Sequence, residues 1–214
     1  TYSIVGGADA ARFAITASSG VLTLTSAPNF EAPTDANGDN VYDVIVQASD
    51  GALTDTQAIS VNITNVNETP VISSPAAFTI QENTVLAGTV VAADPDGVPL
   101  AFAITGGLDA ARFAINAQTG QLSFLASPNF EAPTDSNADN IYQVIVRASD
   151  GVLSASQTVN VTVSNQFDSP EFTSPASYSV AENTLAVGTL AAVAPGNLPI
   201  TYAISGGLDA ARFA

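Results

Sequence analysis

The 214-residue sequence predicts an all-β protein built of tandem seven-stranded Greek-key β-sandwiches, joined end to end. Three observations carry this. An ungapped internal repeat of 100 residues runs through the chain. Apolar and polar residues alternate with period two inside each repeat, and Gly/Pro/Asn/Asp turns separate short runs.

The repeat comes first, because it sets the boundaries. GGADAARFA at 6–14 returns as GGLDAARFA at 106–114 and again at 206–214, and NFEAPTDANGDN at 29–40 returns as NFEAPTDSNADN at 129–140. Residues 1–70 and 101–170 share 37 identities in 70, far beyond chance for strands of merely similar pattern. The proline-bearing links NVNETPV (65–71) and NQFDSPE (165–171) divide the array. On this reading 71–170 is one complete module, 1–70 the back part of a preceding one and 171–214 the front part of a following one. A module of 100 residues has ordinary domain size.

The strands follow in order. AFTIQ (77–81) and GTVVAA (88–93) read as strands, then Leu100/Phe102/Ile104, Phe113/Ile115 and Leu122/Phe124. In IYQVIVRA (141–148), Tyr142, Val144, Val146 and Ala148 share one face, with Gln143 and Arg147 on the other. Val159, Val161 and Val163 alternate with Asn160 and Thr162 in the same way. DAAR (109–112) is long enough for a helical turn only. No 3.6-residue apolar period appears, and no apolar run reaches the 18 residues that would span a bilayer.

Composition then narrows the function. Twenty Asp and Glu stand against four Arg and no Lys, for a formal charge of −16, so no basic patch can form for nucleic acid or an anionic membrane. With no Cys and no His, disulfides, thiolate metal sites, thiol nucleophiles and Ser-His triads are all excluded. An enzyme would have to work with carboxylate pairs alone. What the chain has in surplus is the hard oxygen donors that calcium prefers.

Those carboxylates sit at strand ends and turns: Glu82 in QENT, Asp94 and Asp96 in ADPDG, Asp109 in GLDAARF, Glu131 in NFE, Asp150 in ASDG, and the module link itself. Loops of a sandwich gather at its two ends, so distant carboxylates converge there and demand a cation. In sequence order these motifs resemble the cadherin repeat, in its bacterial cadherin-like form. Glu82-Asn83 is similar to that family's Pro-Glu-Asn, Asp94-Pro95-Asp96 to its Asp-x-Asp, and Ala148-Ser149-Asp150-Gly151 to its Ala-x-Asp-Gly. Asn129-Phe130-Glu131 stands at its Asp-Arg/Tyr-Glu, and Asn65-Val66-Asn67-Glu68-Thr69-Pro70 resembles its linker, one residue shorter.

The resemblance implies calcium at each module junction. The first would use Glu31, Asn65, Asn67, Glu68, Asp94, Asp96 and Asp150, and the second Glu82, Glu131 and Asp168. Asp50 and Glu182 hold the same motif positions one period from Asp150 and Glu82. At the second junction Ala194 and Gly196 replace the Asp-x-Asp pair and Phe167 replaces Asn67. Fewer or weaker ions are therefore expected there, with Asn197 a rescuing donor and Phe167 packing against its neighbours. Asp35, Asn37 and Asp39, repeated as Asp135, Asn137 and Asp139, have the D-x-N-x-D spacing that opens an EF-hand loop but lack its closing Glu. They read equally as a second calcium loop or as an Asx-rich solvated turn.

The function expected is a calcium-rigidified extracellular stalk or extender of an adhesin or surface fibre, its partners being neighbouring repeats of the same array. Two alternatives stand beside it. Partial modules of identical chains could complete each other in a filament, or the chain could be a carbohydrate-binding module, against which stand 7% aromatic residues and no Trp.

Overall fold

The computed structural model describes residues 1–194 and 198–213. They form two compact units. One gathers Thr1–Val71, Ala92–Leu100 and Ser149–Ala155; the other gathers Ile72–Val91, Ala101–Ala148 and Ser156–Ala214. Among the described residues every regular element is a strand or a one-turn 3-10 helix, and no helix is long and apolar enough to cross a membrane.

In the first unit β1 (Tyr2–Gly6), β4 (Val41–Ser49) and β5 (Thr54–Asn62) form a sheet in that order. β2 (Phe13–Ile15) and β3 (Leu22–Leu24) form an antiparallel pair. The β4–β5 hairpin pairs Tyr42 with Val61 and Val44 with Ile59, so alternate apolar residues share one face. Phe13, Tyr42 and Val44 make its buried centre, flanked by half-buried Ile4, Leu22 and Ile59.

GGADAAR explains itself at Gly7. Its φ is +106°, and a Cβ there would lie 2.4 Å from the Val44 Cα, so only glycine lets the chain lie against β4. That approach delivers Asp9, which is buried, to the backbone of two other segments. Its carboxylate accepts the Ala36 N–H at 2.6 Å and the Asp43 N–H at 2.8 Å. Asp109 repeats the clamp on Ser136 and Gln143, at 2.7 and 2.8 Å.

The second unit carries the fuller sandwich. β10 (Ala101–Gly106), β13 (Ile141–Ser149), β14 (Ser154–Ser164) and β7 (Ala77–Gln81) form one sheet in that order. β11 (Phe113–Ile115), β12 (Gln121–Phe124) and β8 (Leu86–Thr89) form the other. The alternation predicted from the sequence holds: Tyr142, Val144, Val146, Ala148, Val159, Val161 and Val163 are all buried. Phe113, Phe124 and Tyr142 pack edge-on or tilted, with ring centroids 4.4 to 6.3 Å apart.

The run GTVVAA is not one strand. β8 ends at Thr89 and β9 (Ala92–Ala93) pairs instead with β6 (Val71–Ile72). Between them the Val90 N–H bonds to Gly120 O at 2.9 Å, while Val91 O accepts from Ser73. The chain changes hydrogen-bonding partners there, which breaks the ladder without breaking the extended path.

Residues 171–194 form only β15 (Glu171–Phe172) paired with β16 (Ala192–Val193). Gly196 and Asn197, which the sequence reading weighs at the second junction, lie outside the described residues.

Candidate metal centre

Three loops and a linker meet in the first unit. Glu31 follows β3 in a turn set by Asn29, whose side-chain oxygen accepts the Glu31 and Ala32 N–H groups at 2.8 and 3.0 Å. Asp94-Pro95-Asp96-Gly97 is a tight turn: the Asp94 carboxylate accepts the Asp96 N–H, and Gly97 closes it with φ +73°. Asp150 sits in the turn between β13 and β14, its carboxylate accepting Val152 and Leu153 N–H groups at 2.6 Å.

The linker ties these turns together. Asn65 donates its amide to Asp96 at 2.7 Å, the Glu68 N–H reaches the other Asp96 oxygen at 2.9 Å, and Asn67 donates to Asp150 at 2.8 Å. The structure thus brings together all seven residues named for the first junction. Carboxylate oxygens of Glu31, Glu68 and Asp96 lie within 4.8 Å of one another.

The electrostatics are unbalanced. Both Glu31 carboxylate oxygens, Glu68 Oε2 and Asp94 Oδ2 are buried without a hydrogen-bond donor. Burial, then the charges of Glu31, Asp96 and Asp94, push the Glu68 carboxyl up from its ordinary range. Asp96 is held low by the Glu68 N–H and the Asn65 amide, and Asp150 by the Asn67 amide and the Val152 N–H. Ionised carboxylates gathered this closely, with unpaired oxygens facing inward, suit a hard divalent cation with six to eight oxygen ligands. The donor set contains no sulfur or imidazole, so it offers a cation hard oxygen ligands alone.

A second group forms in the other unit. Glu82, Glu131 and Asp168 place carboxylate oxygens within 4.8 Å of one another. Glu82 is 1% exposed, and its two oxygens accept the Gln166 N–H at 2.8 Å and the Phe130 N–H at 2.9 Å. Glu131 takes the Asn165 amide at 2.9 Å. Phe167 is 84% exposed, which corrects the expectation that it packs against its neighbours: no described residue covers its ring.

The other named residues stand apart from these groups. Asp50 caps its own turn, accepting Ala52 and Leu53 N–H groups at 2.8 Å, which hold it low. Glu182 is exposed. Asp35, Asn37 and Asp39 close on their own loop: Asp35 accepts the Asp39 and Asn40 N–H groups, and Asp39 accepts the Val41 N–H and the Asn37 amide. Asp135, Asn137 and Asp139 repeat that pattern. Asp109, read from the sequence as one of the turn carboxylates, joins neither group: it and Asp9, which the sequence reading did not single out, are clamps on backbone N–H groups. Their signal was the invariable Gly-Gly two residues before each of them.

The comparisons with known proteins bear on the fold. A family profile described as a bacterial Ig domain matches residues 67–162. The chain is 29% identical over 234 residues to the human cadherin EGF LAG seven-pass G-type receptor 3, and 33% identical over 181 residues to mouse protocadherin Fat 4. All of the chain aligns with the first and 80% with the second, yet it spans only 7% and 3% of their lengths. Among solved structures, human protocadherin-24 EC1-2 matches 78% of this chain and 82% of its own at TM-score 0.53 and 21% identity. Drosophila N-cadherin EC1-4 matches 91% of this chain and 50% of its own at TM-score 0.55 and 16% identity. The chain resembles cadherin repeats in sequence and shares their fold.

Proposed function

We propose that this chain is a calcium-rigidified segment of a longer extracellular repeat array, an extender or stalk in a surface adhesin or fibre. In that array 71–170 is one module, 1–70 the back of the module before it and 171–214 the front of the one after. One observation carries the reading: four buried carboxylate oxygens, on Glu31, Glu68 and Asp94, have no donor. A calcium ion bonded by those oxygens, Asp96 and the Asp150 turn would tie the linker to loops from distant sequence. Held this way, the linker loses the freedom that a chain of unpaired charges would otherwise have. Sites of this kind in extracellular modules bind with Kd of about 10⁻⁴–10⁻³ M, so the array would stiffen only where calcium is abundant.

The test is titration calorimetry together with small-angle X-ray scattering, in chelator and in millimolar calcium. Saturable binding with a lengthened, narrower distance distribution supports the proposal. Unchanged scattering and no heat would refute it.

A further inference from the structure

Arg112 is an unpaired cation in an acidic chain. Four Arg and no Lys stand against twenty Asp and Glu, and three of the four, Arg12, Arg112 and Arg212, recur one period apart. Each follows an Asp by three positions. Among the described residues the only ion pair is Arg212 with Asp209, at 3.4 Å, and neither Arg12 nor Arg112 donates a side-chain hydrogen bond. The reason lies in the clamp. Asp109 is buried and holds the Ser136 and Gln143 N–H groups, while Arg112 is exposed. Asp135 is buried too, and accepts the Asp139 and Asn140 N–H groups of its own loop. The neighbouring acids are engaged elsewhere, and the guanidinium is left over.

Arg112 borders a cleft of about 340 Å³ in the second unit, near the lower end of the range for small-molecule sites. Its walls are the one-turn 3-10 helix Ala110–Arg112, the end of β12 and the loop 125–134. The Leu125 N–H donates to Arg112 O at 2.8 Å, which ties loop to helix. In a chain with twenty acids, no Asp or Glu lines this cleft. Phe124 and Pro128, both buried, give it an apolar wall. Ser127 brings a hydroxyl. Asn129 has its side-chain oxygen taken by the Ala132 N–H at 2.8 Å, so its amide is the part left to donate.

The first unit repeats Arg12, Pro28, Asn29 and Thr34 at the aligned positions. A complete module follows them in the chain, and Arg12 is exposed all the same. Exposure of this cation therefore persists when a whole module comes after it.

We propose that the Arg112 cleft binds the carboxylate of a small organic acid of about monosaccharide size, such as a uronic acid. The guanidinium fork donates two parallel N–H bonds to a carboxylate, a match that an ammonium would lack. Ser127 and Asn129 offer donors to further oxygens, and the Phe124 and Pro128 wall takes the carbon skeleton. Charge selects a monoanion. One cation neutralises a carboxylate, whereas a phosphate would keep excess charge in the field of a chain at −16. An exposed charge pair contributes little and is screened by salt, so binding should be millimolar and weaker as ionic strength rises. None of this depends on the calcium reading above.

The test is an NMR titration of backbone amides in buffer free of divalent cations, where a carboxylate cannot bind through calcium. With galacturonate, the amides of Arg112, Leu125 and Ser127 should shift together and saturate. Galactose, the neutral match, should leave them in place, and lactate, a carboxylate without a ring, should bind more weakly. Arg112→Gln should weaken galacturonate about tenfold or more, with the remaining spectrum unchanged because the side chain is exposed. Arg112→Lys should restore only part of the affinity. Arg12→Gln makes the same change in net charge outside the cleft and should leave the titration as in the parent. Shifts that never saturate, an equal response to galactose, or equal weakening by R12Q and R112Q would each overturn the proposal.

Discussion

Glu68 and Asp96 are joined and opposed at once. The Glu68 N–H donates to Asp96 at 2.9 Å, yet the two carboxylates lie in one cluster with Glu31, and Glu68 carries a buried oxygen with no donor. The backbone bond fixes the linker in the position where the side chains repel, a geometry that a cation relieves.

This predicts a reversal of sign. Glu68→Gln removes one repelling charge, so in chelator the variant should melt higher than the parent. In millimolar calcium it should melt lower, with binding weakened on the order of tenfold or more. Thermal melts in the two buffers check it. The same order of midpoints in both would exclude a cation among these carboxylates.

The two clusters should differ in strength. Each group brings three carboxylates together, but the first has Asp94 close enough to act on Glu68 and keeps Glu31 with both oxygens free of donors, whereas in the second Glu82 and Glu131 are already bonded to N–H donors. Affinity follows ligand charge. Asp96→Asn should therefore abolish the tightest calcium-binding phase in calorimetry, and Glu131→Gln only a weaker one. Equal losses would contradict the ranking.

The repeat supplies its own control for core packing. Leu122→Ala opens a cavity under a completely buried side chain and should cost about 2–5 kcal/mol in chemical unfolding. Leu22→Ala, at the aligned but half-buried position, should cost less than half as much.

The Asp109 clamp allows a similar pairing. Asp109→Ala leaves the Ser136 and Gln143 N–H groups without their acceptor and should cost about 1–3 kcal/mol. Asp209→Ala removes the same motif residue where it is 71% exposed and bonded only to Arg212, and should leave the unfolding midpoint unchanged.

Acid sensitivity should be traceable to Asp35. Its burial works to raise the carboxyl, but the backbone N–H groups of Asp39, Gly38 and Asn40 together hold it below the ordinary range. A depressed carboxyl contributes stability above the unfolded value of about 3.9 and loses it as pH falls through the folded one. Asp35→Asn should thus be less stable than the parent at pH 7 and match it near pH 2. Unfolding in chelator at both pH values measures this, with Glu68 cancelling in the difference.

Much of this molecule is a local consequence of its sequence. Period-two alternation alone identified Tyr142, Val144, Val146 and Ala148 as a buried face, because a strand has no other way to hide them. The 100-residue period made the carboxylate motifs recur in order, but it was their resemblance to the cadherin repeat that named the seven residues around the first linker. What the sequence could not supply were the facts that depend on which backbone N–H groups each carboxylate meets. Asp9 and Asp150 both lie within two residues of a turn glycine, yet Asp9 is buried as a clamp between two segments while Asp150 takes the amide of the linker's Asn67. Asp35 and Asp39 have the spacing of an ion-binding loop, and the fold adds what the spacing did not show: each of their carboxylates also accepts N–H groups of its own loop. The run GTVVAA reads as one strand and is split by hydrogen bonds to two different partners, Gly120 and Ser73. Apolar pattern is periodic along the chain and so can be read from it. Satisfaction of polar groups depends on what arrives from elsewhere, and only the folded backbone decides that.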